Sequence, residues 1–89
     1  MAVKFEIEFV VSDKRKDNYV IARLMDPGQN FNVPENSFIN QVPIKSGVIS
    51  PRALDEKGAP RFDLFIFYTV NPEDIQAFEK LMIVELTPG

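Results

Sequence analysis

Hydrophobic residues occupy every odd position from Val3 to Val11, with Lys4, Glu6 and Glu8 set between the first four of them. A period of two marks a β-strand that buries one face, because successive side chains leave a strand on opposite sides. Val10 interrupts the alternation, which points either to a twist into a second contact or to a bulge. The polar run Ser12 to Asn18 reads as a hairpin loop, and YVIARLM, Tyr19 to Met25, as a second strand. Asp26-Pro27-Gly28 ends that strand with type II turn chemistry, in which Pro27 presets φ and Gly28 accepts a positive one.

The middle of the chain alternates less cleanly. In QNFNVPENSF, Phe31 and Val33 have strand character, but Pro34 has no N–H to give a central ladder, so the segment reads as an edge or an ordered loop. From Phe38 the run FINQVPI puts Phe38, Val42 and Ile44 on even positions, with Asn40 as the exception and Pro43 marking an edge or a strand end. Lys45-Ser46-Gly47 turns the chain, and Val48-Ile49 opens a short strand that Pro51 curtails. Between Pro51 and Pro60, PRALDEKGAP reads as an exposed hairpin loop or one helical turn.

The stretch from Arg61 to Leu86 organises the rest. Its first strand sets Phe62, Leu64, Ile66, Tyr68 and Val70 on one face, expected to be the core side, and Phe65 and Phe67 on the other. Asn71-Pro72-Glu73-Asp74 is a helix start: Asn71 is placed to cap, Pro72 suits the first helical position, and the carboxylates meet the positive end of the helix dipole. Ile75 and Phe78, three apart, share a face and can plug one end of a barrel. Leu81 to Val84 then takes over with strand character. Short strands, regular turn signals and one short helix before the last strand predict an all-β fold, a small six- to seven-stranded antiparallel β-barrel in which closure hides edge groups.

Composition bounds the picture. Eighty-nine residues predict a single domain, 1–89. The chain is 45% hydrophobic with eight phenylalanines, enough to build a core, and its charged fraction of 26% is ordinary for a globular protein. The net charge of −3 argues against a polyanionic partner unless a local basic patch overrides it. Charges at Lys4, Glu6 and Glu8 break any secretory signal, and no apolar run approaches the length of about twenty residues that crosses a membrane. The expectation is a cytoplasmic protein without membrane contact.

The ending, N-P-E-D-I, a short helix, then K-L-M-I-V-E-L-T-P-G, resembles the close of the second, β-barrel domain of translational GTPases such as elongation factor Tu. The matching residues are Glu73, Asp74 and Ile75 in the helix, Lys80 at the basic position, Met82 to Leu86 in the closing strand and Pro88-Gly89 at the exit. FEIEFVV and YVIARLMDPGQNF fit the family's opening strand and second strand more loosely. Leu81 stands where that family usually has glycine, and the charged loop Lys14-Arg15-Lys16 replaces a glycine-rich hairpin. No Gly-x-x-x-x-Gly-Lys-Ser/Thr stretch occurs, so the GTPase domain is absent from this chain. What the resemblance implies is an elongation factor Tu domain II-like barrel, with RNA or the translation machinery as its partner.

Chemistry is scarce. With no histidine and no cysteine, the chain offers neither a histidine-activated nucleophile nor a thiolate or imidazole metal site. Glu73 and Asp74 are adjacent carboxylates at a helix start, where dipole-complementing caps are the usual role. Asp13 and Asp17 flank Lys14, Arg15 and Lys16, which would repel a cation held between them. The expectation is no catalysis, no cofactor and no metal. Phe65 and Phe67 lie opposite the apparent core face of their strand, and Phe31 and Phe38 sit in proline-bearing edge segments. Either these rings are covered within one subunit or they form an apolar patch that binds a protein partner or a second copy as an oligomer. The favoured expectation is a non-catalytic interaction module using Phe65, Phe67, Phe31 and Phe38. The alternative is RNA or translation-machinery binding through Lys14, Arg15 and Lys16, with nearby arginines.

Overall fold

The computed structural model describes residues 2–12, 18–26, 28–47, 49–51 and 54–89. The proposed basic loop Lys14-Arg15-Lys16, with Asp13 and Asp17, lies outside the described residues, as does Pro27 of the expected type II turn. Six strands form one antiparallel sheet: β1 (Val3–Val11), β2 (Tyr19–Leu24), β3 (Ser37–Ile39), β4 (Val42–Ile44), β5 (Leu64–Tyr68) and β6 (Ile83–Thr87). Their spatial order is β4-β3-β6-β1-β2-β5. The sheet curls until its two end strands meet through a bridge between Ile44 and Thr69. There the Lys45 N–H donates to the Tyr68 carbonyl at 2.9 Å and the Val70 N–H to the Pro43 carbonyl at 3.1 Å. The fold is thus a small all-β barrel, and Pro43 lies on an end strand, where a missing N–H costs the ladder least.

β1 shows how the break at Val10 is resolved. Ile7 pairs with Ala22 and Phe9 with Ile21, so Glu8 is the extra residue of a β-bulge. Before the bulge Phe5 and Ile7 point inward and are fully buried. Beyond it the parity flips: Val10, opposite buried Val20, turns toward the core, and Phe9 is 52% exposed. The expectation of one continuous odd-numbered core face therefore fails after Ile7.

The run FINQVPI is two strands rather than one. β3 and β4 are joined through Asn40 and Gln41, both with positive φ (47° and 69°), the signature of a two-residue hairpin turn. The Asn40 side-chain oxygen accepts the Glu85 N–H at 3.0 Å, and the Asn40 N–H donates to the Glu85 carbonyl at 3.1 Å. This anchorage to β6 helps hold the turn. In consequence Ile39, not Phe38, faces the core.

Helix initiation occurs where expected, with Asn71 extended and Pro72 first, but the helix Pro72–Ala77 is of the 3-10 type. The Asn71 side chain makes no cap bond; its amide instead donates weakly to Asp74 at 3.4 Å. Ile75 and Phe78 are both buried and join the core cluster, sharing a buried face as their spacing predicts. Buried Asn18 ties the neighbouring hairpin to this helix, donating from Nδ2 to the Pro72 carbonyl at 2.9 Å. Ahead of β5 the chain makes the exposed hairpin anticipated from its composition, Leu54 pairing with Pro60 and the Asp55 carboxylate accepting the N–H groups of Lys57 and Ala59. Among the described residues no helix is long and apolar enough to cross a membrane.

Candidate functional site

The phenylalanines expected to form a surface patch are largely interior. Phe67 is 2% exposed and opposes Val20, while Phe65 opposes fully buried Ala22. Phe5 stands at the centre of a ring cluster, with centroids 5.2 Å from Phe31, 6.1 Å from Phe65 and 5.0 Å from Phe67, all edge to face. Phe31 and Phe65 meet in the same way at 4.9 Å. Such edge-to-face pairs set the positive ring edge against the negative ring face. Of the four named rings Phe67 is therefore buried, and Phe31 and Phe65 are half-buried against the core. Phe38, 36% exposed on β3, makes no ring contact with them.

From Phe65 to Tyr68 the face assignment of β5 is accordingly reversed. Of the residues expected on the core side, Leu64 is buried, but Ile66 and Tyr68 are half-buried and point outward, and Phe62 and Val70 are 84% and 50% exposed. The reason is register. Both faces of β5 are apolar, so its own alternation carries no sign, whereas β2 has one: Val20, Ala22 and Leu24 are buried, and Arg23 marks the outer face together with Tyr19 and Ile21. Pairing with β2 then hands the outer face of β5 to Ile66 and Tyr68.

The outer face of β1, β2 and β5 is thus built in rows. In the middle row Phe9 opposes Ile21 and Ile21 opposes Ile66, with Ile49 bridged to Ile66 beyond. None of these four belongs to the core cluster or packs against it. On one side of this band Tyr19 opposes Tyr68, the rings 5.2 Å apart and tilted by 50°. On the other side lies an ion network. Arg61 donates to both oxygens of Glu8 at 3.0 and 2.8 Å and also to Asp63, while Arg23 meets Glu6 at 3.3 Å and Glu8 at 3.9 Å. Hydrogen bonds from Arg61 hold the Asp63 carboxyl below its ordinary value, and those to Glu8 and Asp63 raise the Arg61 guanidinium above its own. At the β1 end Lys80 sits 5.7 Å over the Phe9 ring.

Glu73 is exposed and Asp74 lies against the Asn71 amide, as helix-start residues do. Among the described residues no group of three or more carboxylates is arranged to hold a metal ion. A hollow of about 450 Å³ beside Phe62 is lined by Leu24, Asp55, Pro60, Arg61 and Asp63, of which Arg61 and Asp63 bind each other and Asp55 accepts the backbone N–H groups of Lys57 and Ala59. The outer band was legible in one residue: the parity of Arg23 puts Ile21 and Tyr19 outside. Comparisons of the chain with family models, with characterised proteins and with solved structures found no match.

Proposed function

We propose that this barrel is a non-catalytic interaction module that binds a protein through the outer band of Phe9, Ile21 and Ile66, extended by Ile49. One observation carries the reading: three large apolar side chains stand directly opposite one another across three strands on the face turned away from the core. Phe9 and Ile49 are exposed and Ile21 and Ile66 half-buried, and a monomeric protein rarely leaves such a contiguous row in reach of water, because each apolar group there forgoes part of the gain of burial. Its arginine margin is polar and ion-paired, the usual anatomy of a docking rim.

A photo-reactive amino acid at position 9, incorporated in the producing cells, tests this. Irradiation is expected to give a discrete protein adduct, and the same group in place of Glu85, outward on β6 away from the band, is expected to give none. Absence of any adduct from position 9 refutes the reading.

The likeness to the second domain of translational GTPases is supported by one backbone detail. Leu81 has a φ of +73°, a conformation natural to glycine, at the position where that family usually carries glycine. We propose it as kinship in fold.

A further inference from the structure

Resting on the reading of the outer band as a docking surface, we infer that its occupant is a second copy of this chain, seated face to face about a two-fold axis that runs along the band. The band's two margins differ in chemistry. One holds Arg23 and Arg61 among the carboxylates of Glu6, Glu8 and Asp63; the other holds Tyr19 and Tyr68. A two-fold axis along the band exchanges these margins. It lays the arginine margin of one copy over the tyrosine margin of its mate, and the same contact recurs on the other side, as an isologous interface requires.

The chemistry of the two margins suits this arrangement. Carboxylates bond the edges of a guanidinium plane and leave its flat faces, which are the surfaces that stack on aromatic rings. The ion pairs stay intact on association, so no charge is buried bare. A chain with net charge −3 repels its own copies at long range. The band limits that repulsion at contact, because the side chains of its middle row are uncharged, Lys80 over the Phe9 ring adds a cation beside them, and its arginine margin sets two cations against three carboxylates. An unrelated partner would need the apolar row alone; complementary margins on opposite sides of the row are what self-pairing uses.

The chain lacks cysteine, so single-cysteine variants report the geometry directly. Sheets stacked face to face lie about 10 Å apart, too far for a disulfide but within the span of a short bismaleimide. In the purified full chain, Phe9→Cys and Ile66→Cys are each expected to cross-link to twice the chain mass of 10.1 kDa, because each band residue faces its own counterpart. Glu85→Cys is expected to give none. Sedimentation equilibrium is expected to return the dimer for the unaltered chain and the monomer for Phe9→Asp. Should Phe9→Asp fail to fold, Tyr68→Glu on the same face replaces it.

A monomer at every concentration, a Phe9→Asp dimer, failure of either band variant to cross-link, or equal cross-linking from Glu85→Cys overturns the inference. A monomeric chain whose photo-reactive position 9 captures a different protein overturns self-pairing and leaves the docking reading standing. No adduct of any mass removes both.

Discussion

The two faces of β5 are equally apolar and meet opposite fates. Phe65 and Phe67 enter a cluster of four rings around Phe5, whereas Ile66 and Tyr68, one step along the same strand, face outward beside Ile21 and Tyr19. Hydrophobicity alone does not choose between them. The choice is made by β2, whose alternation is broken in sign by Arg23: a guanidinium in the interior would cost far more than an isoleucine outside. An apolar side chain can thus serve as core or as surface within one residue of shift, and the outer band is what remains when pairing has used the inner face.

The sharpest way to break this comparison is to cut each face in turn. Phe67→Ala is expected to cost about 3–5 kcal/mol, since it removes a ring from a filled interior and leaves a cavity. Ile66→Ala is expected to cost less than half as much. Urea unfolding of the two variants measures the difference, and equal losses would mean that the band is a second core rather than a surface.

Next in size is the ion network beside the band. Arg61→Ala is expected to lower stability by about 1 kcal/mol at neutral pH, a value suited to a partly exposed network with one bidentate pair. The contribution depends on pH with a definite sign. Asp63 is held below its ordinary value of 3.8, so its stabilisation is fully present above that value. It is lost as pH falls from there through the lower folded value, because the unfolded chain takes up the proton first. The gap between the parent and Arg61→Ala should therefore narrow in acid, which thermal midpoints recorded between neutrality and about pH 2 would reveal.

Smaller still is the effect of relieving backbone strain at the band's β1 end. Leu81→Gly is expected to gain roughly 0.5–1 kcal/mol, the left-handed penalty of leucine less the added freedom of glycine when unfolded. Leu81 is 66% exposed, so little burial is lost with its side chain. The smallest expected effect on folding is that of Phe9→Asp, within about 0.5 kcal/mol, as for other outward substitutions. That near-neutrality contrasts with the severe cost at Phe67, although both residues are phenylalanines on paired strands.

Several elements were plain from local chemistry. The alternation in Val3–Val11 predicts the first strand, the apolar run Tyr19 to Met25 after a polar loop predicts the second to within one residue, Asn71-Pro72 predicts the helix start, and the spacing of Ile75 and Phe78 predicts their shared face, which is buried. The hairpin at Asn40-Gln41 was hidden because its turn lacks glycine and is held in place by β6, whose Glu85 is 45 residues away in sequence. The site was less legible than the fold. Phe31, Phe65 and Phe67 stood out as surplus aromatics, yet Phe67 is buried and the other two pack half-buried against the core, and Phe9 looked interior until the bulge at Glu8 turned it outward.

Local sequence settled where most of the chain extends and where its proline and glycine turns fall, and it marked two distinct sides on β1 before the bulge and on β2, because these follow from side-chain period and from proline and glycine chemistry within a few residues. Only the tertiary structure decided which side is inside. That depends on register between strands far apart in sequence, where a single inserted residue in β1 or a single charge in β2 reassigns every apolar side chain downstream or across the ladder.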